Sequence, residues 1–402
     1  MLMRYIFRLL LAVAVLCAQV PAVAVAADEG FAELVRQARG SEVKWYMWGG
    51  STTINSWVDG YVAPAVKEKF GITLKRVPAD AAVFVNKLLA EKQAGGKGSM
   101  DLLWINGENF RNAMENGLLQ GPITPLLPNF RLIDAATVEF DFGYPTKGYE
   151  APYGRAQFVF EYDSAALPEP PRTFAALKGW VKNNPGRFTY PKPPDFTGSA
   201  FIRQVFYAVS GGHGQFLGGF DPALYKERSA ALFDYLQEIK PYLWQEGKNY
   251  PKDVAALDTL FERGEVLLNM SYHQASAQSK ILQGRYKNTV RTMVMGEGSI
   301  YNTHFTAVPY NAPNRAGALV VADFLMSPEA QLSKNDPANW GDFTVLDMSR
   351  LDAEQRGRFA KLDLGLATLS VDELSRVAVP EIPAAYLEQL EKDWEKRVLQ
   401  GR

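Results

Sequence analysis

Strand and helix patterns alternate early in this chain, and the alternation limits the fold more than any other feature of the sequence. Residues 42–48 form a β-rich run that stops at a pair of glycines, and apolar residues recur at helical spacing over 54–70. A strand pattern over 72–77, a helix pattern over 82–93 and a strand pattern over 101–105 follow. This β-α-β-α-β order predicts a mostly parallel sheet covered by helices, with ligands bound where strand carboxyl ends meet helix amino ends.

The middle of the chain predicts a second α/β lobe. Proline-rich stretches at 168–171 and 191–194 precede a helical apolar run over 201–209. A further helix pattern over 257–264 leads into a short apolar strand over 266–270. No internal repeat or low-complexity tract stands out, so two lobes account for the length of the chain.

The amino terminus has the pattern of a secretory signal peptide. Arg4 and Arg8 precede an apolar run over 9–20 and a small-residue cleavage site at 24–26. The apolar run is too short to cross a bilayer. We therefore expect residues 1–26 to be removed and the mature protein to be periplasmic.

Composition excludes several classes of protein. The only cysteine, Cys17, lies in the predicted signal peptide, so apolar burial must stabilise the mature fold without a disulfide. The mature chain carries 41 basic and 44 acidic residues without basic stripes, which argues against a nucleic-acid partner. His213, His273 and His304 lack the spacing of a zinc site, and we expect no metal or other cofactor.

Seven short motifs, taken in order, resemble one family of proteins. They are Tyr46–Gly50 (YMWGG), Trp57–Pro64 (WVDGYVAP), Asp101–Trp104 (DLLW), Asn116–Leu119 (NGLL), Ala151–Gly154 (APYG), Phe196–Ala200 (FTGSA) and Asp323–Ala330 (DFLMSPEA). With these motifs the chain resembles the extracellular solute-binding proteins of bacterial ABC importers related to polyamine-, ferric- and thiamine-binding proteins, and most closely the YnjB group. The resemblance covers nearly the whole mature chain.

The resemblance implies a type II periplasmic binding fold, an α/β architecture of two lobes joined by hinge strands, in which each lobe has a mixed, mostly parallel sheet flanked by helices. It implies a first lobe from residues 27–155, a second lobe from 156–304, and a return to the first lobe with C-terminal helices over 305–402. The hinges would lie near 158–162 and 305–309. It also implies a monomer that captures a small solute in the inter-lobe cleft, without catalysis, and delivers it to a membrane permease driven by an ATPase.

The loop after the first strand is the first candidate for the binding site. Gly50 lets backbone N–H groups approach a ligand, Ser51 and Thr52 add hydroxyl groups, and Trp48 could cover the solute. An ordinary glycine turn followed by a helix cap is the alternative.

The loop after the third strand is the second candidate. Trp104 offers an aromatic face, Asn106 an amide, and Glu108 a carboxylate that could neutralise a cationic ligand. Alternatively, Glu108 stabilises the start of its helix through the helix dipole.

The second lobe offers a helix start with Asp195, Thr197 and Ser199, where free N–H groups favour an anion or a carboxylate. Ordinary helix capping is the alternative. Trp340, in a loop near the carboxyl terminus, is a further candidate.

Side chains beside the expected hinges could also reach the cleft. Tyr272 and His273 follow a buried strand, Asn302 precedes a hinge, and Tyr153 and Arg155 lie before the other hinge. Arg155 could pair with a ligand carboxylate or phosphate, or form a structural salt bridge. For the histidine a structural role is the favoured alternative.

A secreted carbohydrate-active hydrolase is the main rival function, since a cleft rich in aromatic and carboxylate side chains suits that chemistry. The sequence contains no motif of a serine nucleophile elbow or a zinc protease. The chemical class of the solute stays open. Aromatic loops with Glu108 favour a thiamine-like or amine solute, whereas helix amino termini with Arg155 favour a phosphate or carboxylate.

Overall fold

The computed structural model describes residues 29–401. The predicted signal peptide, its cleavage site and Cys17 lie outside the described residues. Within this range no helix is both long and apolar enough to span a membrane.

The strands of the described chain are, in order, β1 (Glu42–Met47), β2 (Thr73–Pro78), β3 (Leu102–Trp104), β4 (Leu119–Gln120), β5 (Phe140–Asp141), β6 (Tyr144–Pro145), β7 (Glu150–Gln157), β8 (Val159–Asp163), β9 (Leu268–Ser271), β10 (Val290–Met293), β11 (Ser299–Pro309) and β12 (Ala378–Pro380).

The α-helices are α1 (29–38), α2 (Thr52–Trp57), α3 (Ala63–Phe70), α4 (Ala81–Ala94), α5 (Gly107–Glu115), α6 (Phe174–Asn183), α7 (Phe196–Val209), α8 (Pro222–Ile239), α9 (Val254–Glu262), α10 (Ser276–Leu282), α11 (Arg315–Leu325), α12 (Pro328–Asn335), α13 (Ala353–Ala360), α14 (Val371–Arg376) and α15 (Ala384–Trp394).

The first lobe is built on a mixed sheet. β1 lies between β2 and β3 and runs parallel to both, while β11 runs antiparallel to β3, β4 and β7 and parallel to β12. The predicted β-α-β-α-β order is confirmed. The chain reverses its direction of winding between β1 and β3, and the loops that leave these two strands meet at this switch point, where open α/β sheets bind ligands.

The helical pattern predicted over 54–70 is interrupted. A π-helical turn over Val58–Val62 separates α2 from α3, and Pro64 lies in the first turn of α3. Since proline has no N–H to donate to the preceding turn, the regular hydrogen-bond ladder changes just before it. Gly71 ends α3 in a left-handed conformation, as expected from its position after Phe70.

The second lobe contains a three-stranded sheet in the order β10-β8-β9. Both pairs are antiparallel, so this sheet differs from the mostly parallel sheet predicted for each lobe. The difference arises because β8 carries the chain into the lobe, whereas β9 and β10 flank it and both run the other way.

Between residues 29 and 401 the chain crosses between the lobes at three places. At Phe158 it passes from β7 in the large sheet to β8 in the small one, within the predicted hinge segment 158–162. It returns over 294–298, before β11, so the segment 305–309 lies inside a strand of the large sheet rather than at the crossing. A third crossing follows β12 at 381–383.

The apolar cores follow this division. On one face of the large sheet Trp45, Tyr153 and Trp340 belong to one core, while Phe84, Leu103 and Phe110 form another core on the opposite face. The core of the second lobe contains residues of β8 and α7, and also three residues of the C-terminal helix: Tyr386, Leu390 and Trp394.

Candidate functional site

The loop after β1 places an indole beside a glycine at the switch point. The Trp48 side chain is 41% exposed, and its ring lies so close to Gly50 that a Cβ there would overlap it. Ser51 caps α2 by accepting a hydrogen bond from the Ile54 N–H at 3.4 Å, and Thr52 is the first residue of that helix. The glycine at position 50 is therefore required by the packing of Trp48.

The loop after β3 is held by side-chain hydrogen bonds. The Trp104 indole N–H donates to Asn106 Oδ1 at 3.1 Å, and Asn106 Nδ2 donates to the Thr303 carbonyl at 2.7 Å. Gly107 begins α5 with a φ of +62°, and its N–H donates to the Asp141 carboxylate. These bonds fix the backbone from which Glu108 projects.

Glu108 faces acidic side chains of the second lobe. Burial raises the pKa of Glu108 above its ordinary value, and Glu391 and Glu388 on α15 raise it further, while Arg203 on α7 lowers it. Burial likewise raises the pKa of Glu391, whose carboxylate accepts a hydrogen bond from the Ser199 hydroxyl. Two carboxyl groups with raised pKa values, Glu108 of α5 and Glu391 of α15, thus lie on the two helices that the Arg111–Glu388 pair joins.

The second lobe contributes a buried ion pair that the sequence did not single out. Arg203 donates from Nε and Nη2 to Glu381, both at 2.7 Å, and the Tyr272 hydroxyl donates to the same carboxylate at 2.7 Å. The rings of Phe142 and Phe196 lie 5.6 Å and 6.0 Å from the Arg203 guanidinium. The only sequence signal for Arg203 is its position as the one charged residue of the apolar run 201–209.

Asp195 caps α7 and also links it to a second helix. Its carboxylate accepts hydrogen bonds from the Gly198 N–H at 2.9 Å and from the Val254 N–H at 3.2 Å. Burial raises the pKa of Asp195. Thr197 is buried in the first turn of α7. The helix start predicted as a ligand site is therefore occupied by its own capping carboxylate.

Two of the predicted aromatic residues, Tyr153 and Trp340, pack on the buried ammonium group of Lys334. Lys334 Nζ lies 4.9 Å from the ring centroid of Tyr153 and 4.7 Å from that of Trp340, and pairs with Asp342 at 2.5 Å. Trp104 packs against both rings, with its centroid 5.7 Å from that of Tyr153 and 6.1 Å from that of Trp340, and also against His304 at 4.9 Å. Lys334 and Asp342 are fully buried. Tyr153 and Trp340 therefore enclose a lysine of the chain itself.

The remaining predicted residues lie outside the group around Glu108. The Arg155 guanidinium donates to the Thr137 hydroxyl at 2.6 Å, and burial lowers its pKa. His273 packs against Gly341, and burial lowers its pKa to about 4, so the imidazole is neutral at neutral pH. Asn302 is buried in β11.

Contacts join the two lobes at both ends of the cleft. Gln283 at the end of α10 donates to the Thr53 hydroxyl at 2.9 Å. At the other end Arg111 of α5 pairs with Glu388 of α15 at 2.6 Å. The lobes are therefore in a closed arrangement.

No three His, Cys, Asp or Glu side chains between residues 29 and 401 are arranged to hold a metal ion. What the site brings together is Glu108 from the first lobe with Phe196, Tyr272 and the Arg203–Glu381 pair from the second. Trp48 lies on the loop that leaves β1, the strand beside β3. Such a set can stack on a flat or aliphatic solute and neutralise a positive charge.

Comparison with known proteins agrees with this architecture. Residues 61–345 match the family described as bacterial extracellular solute-binding protein. Protein YnjB of Escherichia coli K12 is 40% identical over 366 residues, which make up 90% of this chain and 92% of that protein.

Solved structures share the fold at low sequence identity. The periplasmic binding protein AfuA from Actinobacillus pleuropneumoniae, with fructose-6-phosphate bound, has a TM-score of 0.63 and 14% identity, covering 89% of this chain and 98% of that one. A periplasmic thiamin binding protein has a TM-score of 0.58 and 18% identity, covering 89% of this chain and 96% of that one. The predicted type II fold of two α/β lobes is confirmed.

Proposed function

The chain belongs to the bacterial extracellular solute-binding proteins and is the solute-binding component of an ABC import system, and from that premise we propose that it captures an organic cation between its two lobes. The observation that carries the proposal is the excess of carboxyl groups where the lobes face each other. Glu108 lies near Glu391 there, while Glu388 is paired with Arg111 and Arg203 is already paired with Glu381.

A cationic solute would relieve this repulsion. Burial is the main cause of the raised pKa of Glu108 and of Glu391, and neighbouring carboxylates add to it. Both pKa values should fall when an ammonium or thiazolium group binds beside these carboxyl groups. Trp48 and Phe196 are large, partly exposed aromatic side chains, Phe196 near Arg203 and Trp48 on the loop after the neighbouring strand β1, and stacking on a cation would stabilise both. A phosphate or carboxylate solute would instead add to the negative charge.

Of the predicted residues, we propose Trp48, Glu108 and Tyr272 as ligand contacts, with Asn106 and Ser199 holding the two carboxyl groups in place. Gly50, Ser51, Thr52, Asp195 and Thr197 shape the loops and helix starts around them. Trp104, Tyr153, Trp340, His273, Asn302 and Arg155 support the lobes from behind the site.

The first prediction tests the charge of the solute by thermal unfolding and isothermal calorimetry with putrescine, spermidine and thiamine as cations and fructose 6-phosphate as an anion. At least one cation should raise the melting temperature, because a ligand at a hundred times its Kd adds about 2.7 kcal/mol to the native state. Glu108→Gln should weaken that cation at least about tenfold, since it removes the charge that pairs with it.

Glu115→Gln is the matched control, because Glu115 is the exposed last residue of the same helix. Its affinity for the cation should equal that of the parent. The proposal is wrong if only the anion stabilises the protein, or if the two substitutions weaken binding equally.

The same proposal includes export with cleavage after Ala26, residence in the periplasm as a monomer, and delivery of the solute to a permease with its ATPase, without catalysis. The intact mass of the secreted protein tests the cleavage site. The limits 27–155, 156–304 and 305–402 implied by the family resemblance differ from the crossings described above, and we propose lobe limits at those crossings, Phe158, 294–298 and 381–383, so that the C-terminal helix joins the core of the second lobe. The family match gives no support to a hydrolase.

A further inference from the structure

The hairpin formed by β5 and β6 connects the two lobes beside the proposed site. We propose that Phe142, at the tip of this hairpin, is a positioning residue for solute capture. Its ring docks on the second lobe and, through the neighbouring Asp141, sets the position of the loop that carries Glu108. The inference rests on the proposed function for the role of Glu108, but not for the contacts of Phe142.

The base of the hairpin belongs to the first lobe. Tyr144 packs edge-on against Phe110 of α5, with ring centroids 5.9 Å apart. The Thr146 hydroxyl donates to the Val138 carbonyl at 3.0 Å, and Val138 is part of the core on one face of the large sheet. The hairpin must therefore move with the first lobe.

The tip of the hairpin is packed on the second lobe. Phe142 is only 5% exposed, and it forms a small apolar cluster with Ala384 and Leu387 of α15. Its ring also lies 6.2 Å from that of Phe196 and covers the Arg203 guanidinium. The Phe142 ring belongs to the first lobe but is buried against the second. It can therefore be buried only while the two lobes are closed.

The backbone at the tip is unusual for such a residue. Phe142 has a φ of +44°, a left-handed conformation that bulky side chains rarely adopt. Gly143 follows with a φ of +71°, and a Cβ there would be 3.1 Å from Pro383 at the third crossing. Burial of the Phe142 ring against α15 offsets the unfavourable backbone, and this compensation is lost when the lobes part.

The hairpin is tied to the solute loop by two contacts. Asp141 accepts the hydrogen bond from the Gly107 N–H, and a Cβ at Gly107 would lie 3.4 Å from the Phe142 ring. Gly107 directly precedes Glu108. Docking of Phe142 therefore holds the start of α5 in the orientation that presents the Glu108 carboxyl group to the second lobe.

The distance between the lobes is measured by double electron–electron resonance between two spin labels, one on each lobe. Because Cys17 is the only cysteine, the Cys17→Ser protein accepts labels at Lys97→Cys and Glu227→Cys, two exposed positions on different lobes. Distances are recorded without solute and with the tightest-binding of putrescine, spermidine and thiamine. Phe142→Ala is compared with Phe140→Ala, which removes an identical ring that is 55% exposed on the same hairpin.

Phe142→Ala should lower the closed fraction in at least one of the two conditions and weaken the cation at least fivefold, and Phe142→Leu should recover part of both. Phe140→Ala should match the parent. Leu387→Ala removes the docking surface from the other lobe and should open the protein in the same way, which keeps the test decisive if Phe142→Ala does not fold.

Unchanged distances in both Phe142→Ala and Leu387→Ala overturn the inference, as does an equal shift in Phe140→Ala. A purely structural role would lower the melting temperature without changing the closed fraction of the folded protein. Failure of all three cations to bind the parent would count against the proposed function alone, because the distances without solute remain readable.

Discussion

At the scale of single residues, the aromatic side chains divide into two groups that the sequence does not distinguish. Trp48 is partly exposed beside the switch point, whereas Tyr153 and Trp340 are buried around Lys334. The reason is that the cation–π attraction of an aromatic ring is the same for the ammonium group of a lysine as for that of a solute. Lys334, about 180 residues from Tyr153 and six from Trp340 in sequence, therefore occupies the position expected for a solute.

The second prediction concerns the effect of His273 on the pH dependence of stability. The pKa of His273 is about 4 in the folded protein and 6.5 ordinarily, so the unfolded chain binds more protons between these values. The free energy of unfolding should therefore fall as pH drops from about 6.5 to about 4, with roughly 3 kcal/mol from this residue. Urea unfolding of the parent and of His273→Asn across this range measures it. Parallel pH dependences in the two proteins would contradict the assignment.

At the scale of elements, the loops after the strands serve two purposes. Ser51 and Asp195 were predicted as ligand residues, and both cap the helices that they precede. A helix start needs an acceptor for its free N–H groups whether or not a ligand is bound nearby. Gly107 likewise has two roles, because its left-handed backbone begins α5 and also lies against the Phe142 ring.

A pair of glycines gives the third prediction. Gly107→Ala should lower the free energy of unfolding by about 1–2 kcal/mol, because an L side chain disfavours the left-handed conformation. Gly179, exposed inside α6 with open space around it, is the matched site. Gly179→Ala should raise stability by about 0.5–1 kcal/mol, since alanine favours the helix. Chemical unfolding of both variants decides, and equal effects of the same sign would refute the argument.

At the scale of the whole molecule, the carboxyl-terminal helix connects distant parts of the sequence. α15 packs in the core of the second lobe, where the Trp394 indole N–H donates to the Tyr190 hydroxyl at 3.0 Å. The chain therefore crosses between the lobes three times, and the third crossing passes Glu381, the partner of Arg203. The carboxyl-terminal segment is thus one of the connections between the two lobes.

Trp394→Ala provides the fourth prediction. Truncating this buried side chain should destabilise the protein by about 3–5 kcal/mol. Hydrogen exchange should quicken in α7 and α8 of the second lobe while β1 and β3 of the first lobe keep the protection of the parent. Trp48→Ala, a truncation of the same size at a partly exposed site, should leave exchange in both lobes unchanged. Faster exchange in β1 would show that α15 stabilises the first lobe as well.

Features that depend on local patterns could be predicted from the amino-acid sequence alone. Periodicity was enough to predict the β-α-β-α-β order and hence the switch point, because strand and helix repeats differ and the connections are short. It also predicted the loops of Trp48 and Glu108 at that point. The motifs predicted the family and the two-lobe fold, because their order and spacing are shared across it.

The contacts between side chains that are distant in sequence could be seen only in the folded protein. Arg203, Glu381 and Phe142 come from three separate segments, so no spacing along the chain connects them. The antiparallel sheet of the second lobe and the placement of α15 depend on how the lobes pack. Burial and charge pairing act through space, and this is why a sequence that predicts the position of the cleft does not predict its carboxyl-rich lining.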